Sequence, residues 1–127
     1  MGRGTVCLCV TTDKLSFLKW TLSQYKKDLA VTSCGEANKL QNIRGIEGLD
    51  VLIIDSSSMN DAPLSYLQKI REVNPSLNIL FIVAPMIKKE EVIEIIRGKF
   101  VKGMIVMPFS AEVLCNYLDK MNFGRQT

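Results

Sequence analysis

Several runs in this chain are apolar on both sides, leaving neither face of an extended segment polar. "VLII" at 51–54 and "ILFIV" at 79–83 are such runs, and "TVCLCV" at 5–10 and "GMIVM" at 103–107 come close. Runs of this kind, rich in β-branched and aliphatic residues, predict strands covered on both faces, the mark of a parallel sheet. Parallel strands cannot be joined by tight turns, so each must be followed by a crossover segment.

The intervening stretches supply those crossovers. Residues 14–27 carry Leu15, Leu18, Leu22 and Tyr25 at helical spacing. Pro63 opens a second amphipathic stretch with Leu64, Leu67 and Ile70, and Asn74-Pro75 breaks it. Residues 88–97 begin "KKEE" and carry Val92, Ile93, Ile95 and Ile96, more apolar surface than one core stripe needs. Ser110 is placed to cap the last helix, with Glu112 near its positive end and Val113, Leu114, Leu118 and Met121 for packing. Adding a short strand at 29–33 and a short helix at 36–43, stopped near Gly45, gives strands near 5–10, 29–33, 50–55, 78–83 and 103–107, each followed by a helix. The expected fold is therefore α/β: a (βα)5 doubly wound, five-stranded parallel sheet in a three-layer sandwich. Residues 1–122 are read as one domain and 123–127 as the start of a linker or tail, within a chain of 127 residues.

Composition narrows the function classes. A hydrophobic fraction of 47% and a charged fraction of 23% suit an ordinary globular domain. The net charge of +3 gives no case for direct nucleic-acid binding. The basic ends of 88–103 and the pair Lys26-Lys27 read as solvated helix surface. No apolar run reaches the ~18 residues of a membrane span. The start "MGRGTVCLCV" lacks a small-residue cleavage site, so no signal peptide is expected. Cys7, Cys9, Cys34 and Cys115 form one C-x-C pair with no second pair, and the chain has no histidine. Buried reduced thiols and a cytoplasmic setting are expected, with no metal or cofactor.

Sites in open α/β folds lie beyond the carboxyl ends of the strands. The residues to interrogate are Thr11, Thr12, Asp13, Asp55, Val83, Ala84, Met107 and Pro108. Asp55 is the conspicuous one, a carboxylate closing the apolar run "VLIID". The following "SSSMNDAP" is hydroxyl-rich but has no glycine, so it makes a poor phosphate cradle and reads as a solvated loop with Asp61 capping the next helix.

Three stretches, "VLIID", "LQKIREVNPSLNILFIVA" and "GMIVMPFSAEVL", together resemble the receiver domain of two-component response regulators, the flavodoxin-like fold of CheY. The resemblance spans nearly the whole chain. It implies a phosphoacceptor aspartate at Asp55, two metal-holding acids at Thr11 and Thr12, a Ser or Thr at Val83 and a lysine at Met107. The aromatic that moves on activation maps to Met104. Only the aspartate matches. A slip of one residue would keep one acid, Asp13. A carboxylate without metal ligands, hydroxyl or lysine lacks the charge stabilisation that phosphoryl transfer requires. Asp55 is then a residual carboxylate, held by hydroxyls of Thr12, Ser56 or Ser57 or by backbone N–H groups.

The resemblance therefore implies an atypical receiver and not an enzyme. It would act as a phosphorylation-independent interaction or dimerisation module regulating an attached effector, such as a DNA-binding transcription regulator. Some pilus-assembly ATPases of the MinD/ParA type also begin with degenerate receivers. The docking face implied joins the helix at 88–97, the fifth strand and the last helix, with Ile95, Arg97, Met104 and Tyr117 as members. Lys88, Lys89, Glu90, Glu91 and Glu94 are available there for reciprocal ion pairs in a homodimer. Phe17 and Trp20 fall off the main stripe of their helix and suggest a second small apolar patch. The alternatives are a phosphate-accepting receiver using Asp55 and, more remotely, a flavodoxin-like enzyme or cofactor binder.

Overall fold

A computed structural model describes residues 5–25, 29–33, 49–56, 63–85 and 87–121. Its elements in chain order are β1 (Thr5–Cys9), α1 (Thr12–Tyr25), β2 (Ala30–Ser33), β3 (Val51–Asp55), α2 (Pro63–Val73), β4 (Asn78–Val83), α3 (Lys89–Arg97), β5 (Gly103–Val106) and α4 (Ala111–Met121). The strands form one parallel sheet in the order β2-β1-β3-β4-β5. The expected α/β sheet is thus present, with boundaries shifted by one or two residues. The expected helix at 36–43 lies outside the described residues, as do Cys34, Lys26, Lys27 and the loop from Ser57 to Asp61.

Strand alternation sorts the side chains into two cores. Cys7, Cys9, Leu52, Ile54, Ile79, Phe81 and Val83 pack under α2 and α3, against Leu67, Ile70 and Ile95. Val6, Leu8, Val51, Ile53, Leu80, Ile82 and Ile105 pack under α1 and α4, against Leu18, Leu22, Leu114 and Leu118. The register holds both sets in step, with Leu8 opposite Ile53 and Ile53 opposite Leu80. Cys7 and Cys9 are buried on one face and form no disulfide, as their spacing predicts. Ser110 caps α4 through Oγ, which accepts from the Val113 N–H at 3.3 Å.

At the end of the sheet remote from Asp55, Arg71 joins two turns by side-chain hydrogen bonds. Its guanidinium donates to the carbonyls of Pro75 (2.9 Å), Leu77 (2.6 Å) and Phe100 (2.6 Å). That ties the turn after α2 to the turn before β5. Burial lowers its pKa from the ordinary arginine value. Hydrogen bonds to a charged donor are the stronger kind. Arg71→Ala should therefore cost about 2 kcal/mol, seen as a lower urea midpoint at unchanged slope. Arg71→Lys should not restore it, because an ammonium cannot span three carbonyls in a fixed fork.

Candidate functional site

The sheet order sends the chain from β1 outward to β2 and then back past β1 to β3. The crevice above the ends of β1 and β3 is the switch point, and Thr11 and Asp55 stand on either side of it. Asp55 is the last residue of β3 and is fully buried.

Its partners come from the β1–α1 turn. The Lys14 ammonium lies 2.8 Å from Asp55 Oδ2, and the lysine side chain is only 10% exposed. The Thr11 hydroxyl donates to the same oxygen at 3.1 Å, with the Thr11 N–H at 3.5 Å. Lys14 Nζ also donates to Thr11 Oγ1 at 2.8 Å, so ammonium, hydroxyl and carboxylate form a closed triangle. A lysine in the first turn of a helix opposes the helix dipole. The buried carboxylate offsets that and neutralises a cation that burial alone would disfavour.

The other expected site residues are placed differently. Thr12 opens α1 and is exposed, so it does not hold Asp55. Asp13 is also turned to solvent, with its carboxylate 3.7 Å from Lys14 Nζ. Hydrogen bonding from Thr11 and the nearby Lys14 charge keep the Asp13 carboxyl below its ordinary range. Ser56 does not serve Asp55 through its hydroxyl as expected; its Oγ accepts from the Ala84 N–H at 2.9 Å, tying the end of β3 to the end of β4. Ser57 lies outside the described residues. Val83 is buried at the end of β4, and Met107 is half-buried against the α1/α4 core. Neither can donate a hydrogen bond or a charge to an anion.

A divalent cation does not fit this arrangement. Hard cations need several oxygen ligands, and no group of three or more potential metal ligands exists among the described residues. Asp55 Oδ2 already carries an ammonium. Lys14, missed in the sequence reading, is the residue that defines the site.

No family model and no curated protein matches the chain. Solved structures do. A pilus-assembly-related protein from Burkholderia pseudomallei superposes with a TM-score of 0.77 at 20% identity, covering 94% of this chain and 90% of that one. A pilus assembly protein from Burkholderia thailandensis gives 0.73 at 20% identity over 95% and 98%. A response regulator receiver domain protein from Clostridium thermocellum gives 0.76 at 12% identity over 95% and 94%. This is the receiver fold. In this fold Asp55 stands at the end of β3, with the Lys14 ammonium beside it.

The face expected to dock partners needs one correction. Ile95 is 0% exposed and belongs to the core under α3. Its neighbour Ile96 is 58% exposed, a hundred degrees further round the helix. Ile93, Val106 and Val113 are exposed as well. Met104 and Tyr117 are half-buried, with the Tyr117 ring lying so close to Gly103 that a Cβ there would meet it at 2.5 Å. Phe17 and Trp20 stand out from α1, as their off-stripe positions predict.

Proposed function

We propose that this chain is a receiver-type regulatory module that works by contacts and not by phosphoryl transfer. The observation that carries the reading is the Lys14 ammonium on the buried Asp55 carboxylate. An attacking oxygen must be free and reachable, and this one is hydrogen-bonded, ion-paired and closed to solvent. The domain itself does no chemistry and reports to an effector. A DNA-binding transcription regulator is one setting, and the pilus-assembly neighbours add that machinery as a second. No helix among the described residues is long and apolar enough to cross a membrane, and a cytoplasmic setting accords with Cys7, Cys9 and Cys115 forming no disulfide.

Incubation with acetyl phosphate and Mg²⁺ followed by intact mass tests this directly. The expected result is no gain of a phosphoryl group. A stoichiometric adduct lost in Asp55→Asn would mean that Lys14 stands in for the metal in a phosphate-accepting receiver, and the proposal would fall.

The contact surface we assign is the α3–β5–α4 face, centred on Ile93, Ile96, Val106 and Val113 with Met104 and Tyr117 beneath. Lys89, Glu90, Glu94 and Arg97 surround it on α3. Charges of both signs on one patch can complement themselves across a two-fold axis, and the apolar centre carries the energy. A concentration-dependent dimer is expected by sedimentation at high micromolar protein. Ile96→Asp should weaken it about thirtyfold, the equivalent of roughly 2 kcal/mol. A strict monomer at that concentration would remove the face from the proposal.

A further inference from the structure

A cleft opens at the end of the sheet opposite Asp55, and the proposed module makes no use of it. The strands run parallel, so the first residues of β4 and β5 lie together at that end. The helix after β5 runs back along the sheet and brings its last turn there. Asn78 opens β4, Lys102 precedes β5, and Tyr117, Lys120 and Met121 come from α4; together they line a cleft of about 230 Å³. Its frame is held by backbone and core. The Lys102 N–H donates to the Ile79 carbonyl at 2.8 Å, and the Asn78 N–H to the Asp50 carbonyl at 3.3 Å. Tyr117 and Met121 pack against the core under α1 and α4.

The charge in this cleft is of one sign. Lys102 and Lys120 reach it from separate elements, and neither has an ion pair among the described residues. The carboxylates beside them in the fold are engaged elsewhere. Asp119 accepts from the Tyr25 hydroxyl at 2.7 Å. Asp50 Oδ2 accepts from the Thr5 N–H at 2.8 Å and the Thr5 hydroxyl at 3.1 Å. Lys120 Nζ lies 5.4 Å from the centre of the Tyr117 ring, and its place in the last turn of α4 also offsets the negative end of that helix. Lys102 serves no helix end. Two ammonium groups lining one cleft repel each other until an anion joins them.

We propose that this cleft binds a small phosphomonoester, its phosphate between Lys102 and Lys120 and its organic body against Tyr117 and Met121. A phosphomonoester carries about −1.5 to −2 charge at neutral pH, which two ammonium groups match. Lysine acts on phosphate as a point charge, whereas planar carboxylates are better matched by the fork of an arginine. The Asn78 amide and the Tyr117 hydroxyl add donors that can fix orientation. The cleft falls just below the ~300 Å³ at which small-molecule sites begin, so the ligand is small.

Phenyl phosphate is the probe, titrated into the whole chain labelled with ¹⁵N, with inorganic phosphate, phenol and the dicarboxylate phthalate as comparisons. Phenyl phosphate should give saturable shifts of the Lys102, Gly103, Tyr117 and Lys120 amides. Inorganic phosphate and phthalate should each bind at least tenfold more weakly, and phenol should give no saturable shift. Lys102→Gln and Lys120→Gln should each weaken phenyl phosphate at least tenfold, while Lys19→Gln on α1, which removes the same charge elsewhere, should leave it unchanged. Melting curves of the variants without ligand check that each still folds. No saturable shift up to about 10 mM would overturn the proposal, since that is weaker than any affinity worth about 3 kcal/mol. Equal binding of inorganic phosphate would mean an adventitious ion only, equal binding of phthalate would remove the phosphate class, and a loss in Lys19→Gln as large as in Lys102→Gln would mean general charge attraction; each would overturn it as well. Tyr117, shared with the contact surface assigned above, stays unchanged in every variant, and no readout involves Asp55, so failure here leaves the phosphorylation result untouched.

Discussion

Replacing Lys14 with methionine should cost the domain about 3–5 kcal/mol, the usual penalty for removing one partner of a buried ion pair. The side chain is 10% exposed and Asp55 is 0% exposed, so solvent cannot replace the lost contact. What remains is a buried carboxylate that has lost its ammonium, with the Thr11 hydroxyl and N–H beside it. A buried carboxylate without its counter-ion is unfavourable. Methionine keeps the length and volume of lysine, so the loss reports charge and not packing. The decisive comparison is Lys14→Met with Asp55→Leu, which removes both charges together. That double variant should recover most of the loss and could exceed the parent, since a buried pair replaced by apolar residues is often neutral or stabilising. The measurement is urea unfolding of the two single variants and the double, arranged as a cycle. A coupling energy below about 1 kcal/mol would mean that the pair is incidental, and the proposed function would lose its main support.

Lys14 was legible in the sequence. It stands four residues before Leu18 and eleven before Tyr25, so it lies on the buried stripe of α1. A lysine on an inward stripe requires an anion, and Asp55 was the buried acid to look for. Lys14 occupies none of the positions that the receiver pattern fills, so the resemblance gives it no role. The sheet, by contrast, was readable because its strands are continuous apolar runs, a signal that does not depend on tertiary detail. The error at Ile95 has a different cause. Val92, Ile93, Ile95 and Ile96 are all apolar, so periodicity alone could not say which side of α3 meets the sheet. The position of α3 over Ile79, Phe81 and Leu67 decides it.

The same α3 helix gives the second large effect. Ile53 and Ile95 are both fully buried, one in the core under α1 and α4 and the other in the core under α2 and α3. Truncation to alanine removes apolar contacts and leaves a cavity that the sheet can only partly close. Each should cost about 2–5 kcal/mol. For Ile53 the upper part of that range is expected, because it is hemmed in by Leu8 and Leu80 on the neighbouring strands. Ile95→Asp should go further and prevent folding, since it places an unpaired carboxylate in the α2/α3 core. Ile96 is the control one residue away. At 58% exposure, its change to alanine should shift stability by no more than about 0.5 kcal/mol. Thermal or urea unfolding of the three alanine variants reads these differences directly. If Ile95→Ala and Ile96→Ala were equally mild, α3 would be rotated from the position described, and the exposed face assigned to partner contacts would have to be redrawn around Ile95.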